Sequence, residues 1–317
     1  MSEESNNRGR AYEFICLKTL AEEIKKIRPV EIEENSSFFA AEKAWNLIDS
    51  ELQNILKLSA QTAVIALLDF EPLIIENEND TLTLLIQPDS RGEAGDVRDI
   101  LIIRSGIKWE IGLSIKHNHF AVKHSRLSRS IDFGQKWYKD KCSDEYWQAV
   151  NPIFDYLDEC KKSGMLWREM EEKDSKVYVP LLNAFEAEIK NAYLKDKNLP
   201  RKLVEYLLGE YDFYKVISID SQQMTQLQTY NMHGTLNKYA KKQKPKKIVP
   251  ISTLPTKIVA FDFKTGSTNT LEMYLDNGWQ FSFRIHNAAT KVETSLKFDI
   301  QIIGMPASII TINSYWL

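Results

Sequence analysis

GEAGDVRDILIIRSGIKWEIGLSIKHNHFAVKHSRLSR, residues 92–129, is the stretch on which the reading of this chain turns. Within it, 99–104 (DILIIR) is a short aliphatic run, 105–106 (Ser-Gly) a turn, and 108–116 (KWEIGLSIK) a second run. Short apolar runs bounded by turn residues read as strands. Upstream, 81–87 (TLTLLIQ) is a third such run, joined to the window by the turn-prone PDSRGEAGD at 88–96. Three consecutive strands with short connections imply an antiparallel meander. Side chains alternate along a strand, so Glu110, Gly112, Ser114 and Lys116 share one face. A hairpin brings that face beside Asp99, which opens the preceding strand.

Two carboxylates and a lysine at the end of an antiparallel pair suit phosphodiester hydrolysis. Carboxylates hold a divalent cation through oxygen and leave positions for water and a phosphate oxygen. A lysine can orient or deprotonate that water, or stabilise charge building on phosphorus. Charged residues at strand ends are also ordinary solvated termini. Here, however, Glu110 and Lys116 share their face with glycine and serine, a poor pattern for core packing. The next residues include His117, Asn118, His119, Lys123, His124, Arg126 and Arg129, with no acid until Asp132. A basic stretch beside an acidic cluster suits a phosphate backbone passing a metal.

Bulk properties agree without deciding. The 317 residues carry a formal charge of −3 and 43% hydrophobic content, enough for one large domain or a core with an added lobe. Nothing is apolar enough to span a bilayer, and the polar N-terminus MSEESNNRGR has no signal region, which leads to the expectation of a cytoplasmic protein. Cys16, Cys142 and Cys160 lack paired or zinc-ligating spacing. No P-loop or glycine-rich cofactor loop is present, which disfavours a nucleotide-driven motor or a methyltransferase.

Working outward, apolar spacing predicts helices over 9–27, 40–56 and 59–68, then over 125–139, 143–160, 182–194 and 200–208. A strand follows at 212–220 (DFYKVISID). A connection with six lysines at 238–250 then leads to a β-rich tail whose Asp276-Asn277-Gly278 marks a hairpin. The expected fold is α/β (α+β): a mixed sheet core flanked by helices, with a β-rich C-terminal lobe. The expected division is a catalytic core at 1–237, a linker at 238–250, and the lobe at 251–317.

An acid followed roughly fifteen residues later by x-Lys, across two strands, resembles the PD-(D/E)xK nuclease superfamily. In that resemblance Asp99 takes the first acid and Lys116 the lysine. Ser114 stands where the second acid belongs, and Glu110 is the candidate replacement. Asp96 is a second contender for the metal, while Pro88-Asp89 is read as a turn. The string NRGRAYEF (7–14) resembles the superfamily's G-x-x-x-E opening helix, which implies a metal-site role for Glu13.

Longer strings, GDVRDILIIR, WEIGLSIKHNHFAVKHSRLS, VYVPLLNAF, DFYKVISID, HGTLNK and NGWQFSFRIHNA, resemble the HaeIII family of type II restriction endonucleases over nearly the whole chain. The resemblance implies Mg2+-dependent cutting of double-stranded DNA at the centre of GGCC to blunt ends. It also implies a cognate methyltransferase in the same system. A palindromic site fits a homodimer, and a monomer nicking each strand in turn stays open. Two rivals also stay open: a repair or junction nuclease on the same core, and a non-catalytic DNA-binding regulator.

A GGCC duplex presents guanine O6 and N7 acceptors and cytosine N4 donors in the major groove. In WQFSFRIHNA, Gln280, Ser282, Arg284 and His286 alternate on one strand face, and Asn287 follows. That face meets solvent or DNA. YNMHGTLNK (230–238) offers Asn231, His233 and Asn237 in a loop. The lysine run is either a solvated linker or a phosphate contact.

Overall fold

The computed structural model describes residues 3–76, 80–88, 95–120 and 123–316; most of the 88–96 turn stretch, Asp89 included, lies outside them. In chain order the elements begin with α1 (Glu3–Lys25), β1 (Val30–Glu33), α2 (Ser36–Leu47), α3 (Ser50–Phe70), α4 (Pro72–Ile75), β2 (Leu82–Ile86), β3 (Ile100–Arg104) and β4 (Trp109–His117). Next come β5 (Lys123–Ser128), α5 (Phe133–Trp137), α6 (Asp144–Lys162), α7 (Val179–Lys195) and α8 (Leu199–Leu208). The remaining strands are β6 (Phe213–Ile219), β7 (Met224–Tyr230), β8 (Ile258–Phe263), β9 (Thr270–Leu275), β10 (Gln280–His286), β11 (Ser295–Gly304) and β12 (Thr311–Tyr315).

Two compact units result, and neither is one continuous segment. The first comprises residues 1–120, 209–253 and 307–317; the second comprises 121–208 and 254–306. The first holds a seven-stranded mixed sheet in the order β1-β2-β3-β4-β6-β7-β12. Strands β2, β3 and β4 form the expected antiparallel meander. Its outer neighbours add parallel pairings, β1 on β2 and β6 on β4. One face packs on α1 and α3 through a largely aliphatic core that includes Leu17, Leu20, Val64, Leu84, Ile102, Leu113 and Val216.

The second unit holds an antiparallel sheet in the order β5-β11-β10-β9-β8. Its core is aromatic: the Phe185 ring lies 5.0 Å from both Phe133 and Phe298, and Trp137 stacks on Tyr206 at 5.0 Å. The fold is thus α/β in the α+β sense, with a mixed sheet, an antiparallel sheet and eight α-helices among the described residues.

Local chemistry explains where elements start and where the sequence reading differs. The helix expected over 40–56 is two helices, because Ile48 turns extended and Asp49 caps α3 by accepting from the Leu52 amide at 2.8 Å. Ser143 caps α6 in the same way through the Tyr146 amide. Of the helix expected over 125–139 only Phe133–Trp137 is helical, as the short α5; its first four residues belong to strand β5, whose partner β11 is remote in sequence.

The sheet assignments also cut across the expected division at 238–250. β12 joins the first unit's sheet beside β7, and β5 joins the second unit's sheet. Residues 238–250 belong to the first unit, where Glu76 accepts from the Lys241 amide at 2.8 Å and Lys246 Nζ meets Asp69 at 2.7 Å.

Candidate active site

Asp99 stands one residue before β3, and its backbone is held on both sides. Its N–H donates to the Leu113 carbonyl at 2.7 Å, and its carbonyl accepts from the Gln87 amide at 2.9 Å. The carboxylate therefore projects beside the half-buried end of β4. There Oδ2 accepts from the Ile115 amide at 2.6 Å, from Lys116 Nζ at 2.9 Å and from Ser114 Oγ at 3.4 Å. None of these bonds uses Oδ1. The Lys116 side chain is 26% exposed, so the pair opens to solvent. Burial works against the ammonium, but Asp99 outweighs it, with Glu13 adding to the effect, and Lys116 ends above the ordinary lysine pKa. α1 thus brings Glu13 within electrostatic reach of the lysine.

Glu110 and Asp96 go elsewhere. Register places Glu110 opposite Ile103, well along β4 from Asp99. Arg98 takes both acids: Nη1 reaches Glu110 Oε1 at 2.7 Å and Nη2 reaches Asp96 Oδ2 at 2.7 Å. Gly112 makes this route available, since a Cβ there would lie 2.3 Å from Arg98 Cδ. Burial alone would raise the Asp96 carboxyl, but the Arg98 guanidinium overrides it and holds the pKa below the usual range. The arginine thus pairs with both acids, the half-buried Asp96 and the exposed Glu110. Expected as metal ligands, they are not brought to Asp99.

Among the described residues no group of three or more His, Cys, Asp or Glu side chains is arranged to hold a metal. Magnesium usually keeps several waters and takes one or two carboxylates. Asp99, with Oδ1 unused by its protein bonds, and Glu13 near Lys116 suit that sparse donor set.

Two participants were not singled out from sequence. Lys215 on β6 lies in parallel register with Ser114, is 4% exposed, and donates Nζ to the Phe120 carbonyl at 2.8 Å. Burial, with the Lys116 charge added, pulls its pKa down to about 7. Its signal was a lone charge inside a largely apolar strand, FYKVISI. The second is Asp220, whose Oδ2 meets His117 Nε2 at 2.6 Å and accepts from Asn118 Nδ2 at 3.0 Å. Asn118 sits at φ 52 and also accepts from the Asp220 amide. Burial would raise Asp220, yet His117 and Ser218 hold it below the usual range. His117 and Asn118 therefore clasp the end of β4 to the end of β6.

The other proposed DNA contacts divide by exposure. Asn231 is buried, with Nδ2 donating to the Val249 carbonyl, and Asn237 bridges Phe70, Lys247 and Val249 backbone groups. Both shape the loop from within. His233 is exposed and His119 half-buried. In the second unit, Lys123 Nζ donates to the Tyr206 carbonyl at 2.9 Å, and Arg126 reaches Ser295 Oγ at 2.9 Å. Asn287 holds its own turn through Ala289, Lys291 and Glu293. Gln280 and His286 are half-exposed on β10, and Arg284 is 54% exposed with Asp299 at 3.3 Å.

Comparison with known proteins gives one consistent answer. A family model described as "HaeIII restriction endonuclease" matches residues 9–306. The type II restriction enzyme HaeIII of Haemophilus aegyptius is 50% identical over 318 residues, covering 100% of this chain and 99% of that protein. No solved structure matches.

Proposed function

The chain belongs to the HaeIII restriction endonuclease family and is a type II site-specific deoxyribonuclease, and from that premise we propose that it cuts both strands of GGCC at the centre, leaving blunt ends, with magnesium as its cofactor. The chemistry is assigned to the end of the β3–β4 hairpin. The observation that carries this is the Lys116 Nζ to Asp99 Oδ2 contact at 2.9 Å.

Asp99 and Glu13 are the residues that would hold the cation. When bound, a divalent ion supplies Lewis-acid activation of the phosphate and of water. Lys116 then orients the attacking water or stabilises charge on the phosphate oxygens. The Ile115 amide fixes the Asp99 carboxylate so that Lys116 is aimed without a search. Ser114 adds a weaker hydrogen bond from the position of the superfamily's second acid. The arrangement supports the PD-(D/E)xK reading with one carboxylate exchanged for a hydroxyl.

Base recognition is assigned to the polar face of β10, where Arg284 offers the fork that suits guanine and Gln280 an amide. The methyltransferase of the same system and a two-fold dimer on the palindrome complete the proposal, together with a cytoplasmic setting. No helix among the described residues is long and apolar enough to cross a membrane.

Digestion of a plasmid of known sequence tests the reading, with magnesium, with EDTA, and with Lys116→Ala. Discrete blunt fragments at GGCC, absent from both controls, are expected. Cutting at another sequence would sink the specificity, and full activity of Lys116→Ala would sink the assigned centre.

A further inference from the structure

Polar side chains form a row across the first unit's sheet. Asp99 Oδ2 accepts from Ser114, Ser114 lies in register with Lys215 on β6, and Lys215 lies in register with Gln228 on β7. Ser114, Lys215 and Gln228 are all buried. The rest of β6 is apolar apart from Ser218 near its end, and every residue of the strand is buried. An ammonium in such a strand loses its hydration, and a methionine of similar length would fit at lower cost. Packing therefore does not account for a lysine here.

Two contacts do. Nζ donates at 2.8 Å to the carbonyl of Phe120, in the segment that leaves β4 just after Lys116 and His117. Lys116 and Asp99 both act electrostatically on the same ammonium. Ser114 fits this arrangement. A carboxylate at that position would stand in register with Lys215 and offset its charge, whereas a hydroxyl sets no opposite charge beside it.

We propose that Lys215 is a positioning residue for phosphodiester cleavage: it anchors the backbone leaving β4 and sets its positive charge against the Asp99–Lys116 pair, fixing how Lys116 meets the reacting phosphate. This rests on the reading of Asp99 and Lys116 as the nuclease centre. Lys215 itself is too enclosed to touch the DNA, so its effect falls on turnover rather than on affinity.

The test uses the full-length chain with Lys215→Met, Lys215→Arg and Lys116→Ala. Three quantities are read: single-turnover cleavage of a GGCC duplex with magnesium, binding of the same duplex with calcium, and the melting temperature. Lys215→Met is expected to bind within about threefold of the parent and melt no lower, yet to cleave on the order of a hundredfold more slowly. Lys215→Arg, which keeps the charge, should recover most of the rate.

Parental cleavage by Lys215→Met, with Lys116→Ala inactive, overturns the role of Lys215 alone. Equal slowing in the methionine and arginine variants overturns the charge argument. A fall in rate matched by falls in binding and melting temperature reduces Lys215 to a structural residue and overturns the proposal. Parental cleavage by Lys116→Ala overturns the centre itself, and the proposal with it.

Discussion

β6 and β10 are both seven-residue strands, yet they follow opposite plans. Every residue of β6 is buried, whereas β10 alternates, with Phe281, Phe283 and Ile285 inward and Gln280, Ser282, Arg284 and His286 toward solvent. A strand with one wet face displays its role in the sequence, because period two separates the faces. A strand enclosed on both faces hides its role, and its chemistry shows only as a residue that does not belong there. Lys215 is that residue on β6.

The contrast extends to the two cores. The second unit is held by aromatic packing around Phe185, Phe283 and Phe298. The first adds buried ion pairs to its aliphatic core. Arg104, fully buried, donates to Asp80 Oδ2 and Oδ1 at 2.9 Å, to Glu76 Oε2 at 3.1 Å and to the Leu73 carbonyl at 2.9 Å. Arg28 joins the same acid, Asp80. These arginines pull Asp80 below the usual carboxylate range, Arg104 foremost.

The largest effects should come from removing one partner in each core. Arg104→Ala is expected to destabilise by about 3–5 kcal/mol, because Glu76 is left buried without its cation. Phe283→Ala should cost a similar amount, about 3–5 kcal/mol, but as an apolar cavity. Urea denaturation checks both, and the comparison breaks if Arg104→Ala costs less than about 1 kcal/mol.

Glu71 gives the next effect and has a definite sign. It is fully buried, with Oε1 accepting from Tyr214 Oη at 2.5 Å and from the Asn237 amide at 2.7 Å, and Oε2 without a hydrogen-bond partner. Burial pushes its carboxyl up to about 7. The folded chain therefore holds this proton more tightly than the unfolded chain. The resulting stability is fully present below the unfolded pKa and is lost as pH rises through about 7. Relative to Glu71→Gln, the parent should lose about 3 kcal/mol between pH 4 and pH 8. Parallel melting curves for the two proteins across that range would refute the assignment.

Gly112→Ala should cost about 1–3 kcal/mol, since the added methyl pushes the Arg98 stem off β4 and disturbs its hold on Glu110 and Asp96. Lys246→Ala, at an exposed pair with Asp69, should change stability by less than about 1 kcal/mol. A larger loss would mean that the lysine-rich segment contributes to the core in a way its exposure denies.

Legibility followed the same divide. The β2–β3–β4 meander, the faces of β10 and the approach of Asp99 to Lys116 all follow from local pattern and hairpin geometry. β5 did not, because KHSRLS is polar and its strand identity comes from pairing with β11. β1 (VEIE) and β7 (MTQLQTY) are likewise short or polar and gain their structure from remote neighbours. The Arg98–Glu110 pair was not legible, because face-sharing along one strand says nothing of distance and the space Gly112 leaves for Arg98 is set by the fold.

The interleaved order of the two units also sets a clock. Lys116 leaves the ribosome 99 residues before Lys215, a delay of roughly 5–20 s at ordinary elongation rates. Through that interval β4 lacks the partner that β6 later provides, and the whole 121–208 stretch of the second unit is made. The sheet's last strand, β12, is made later still. A nascent chain of this enzyme therefore carries Asp99 and Lys116 early and completes the sheet around them late.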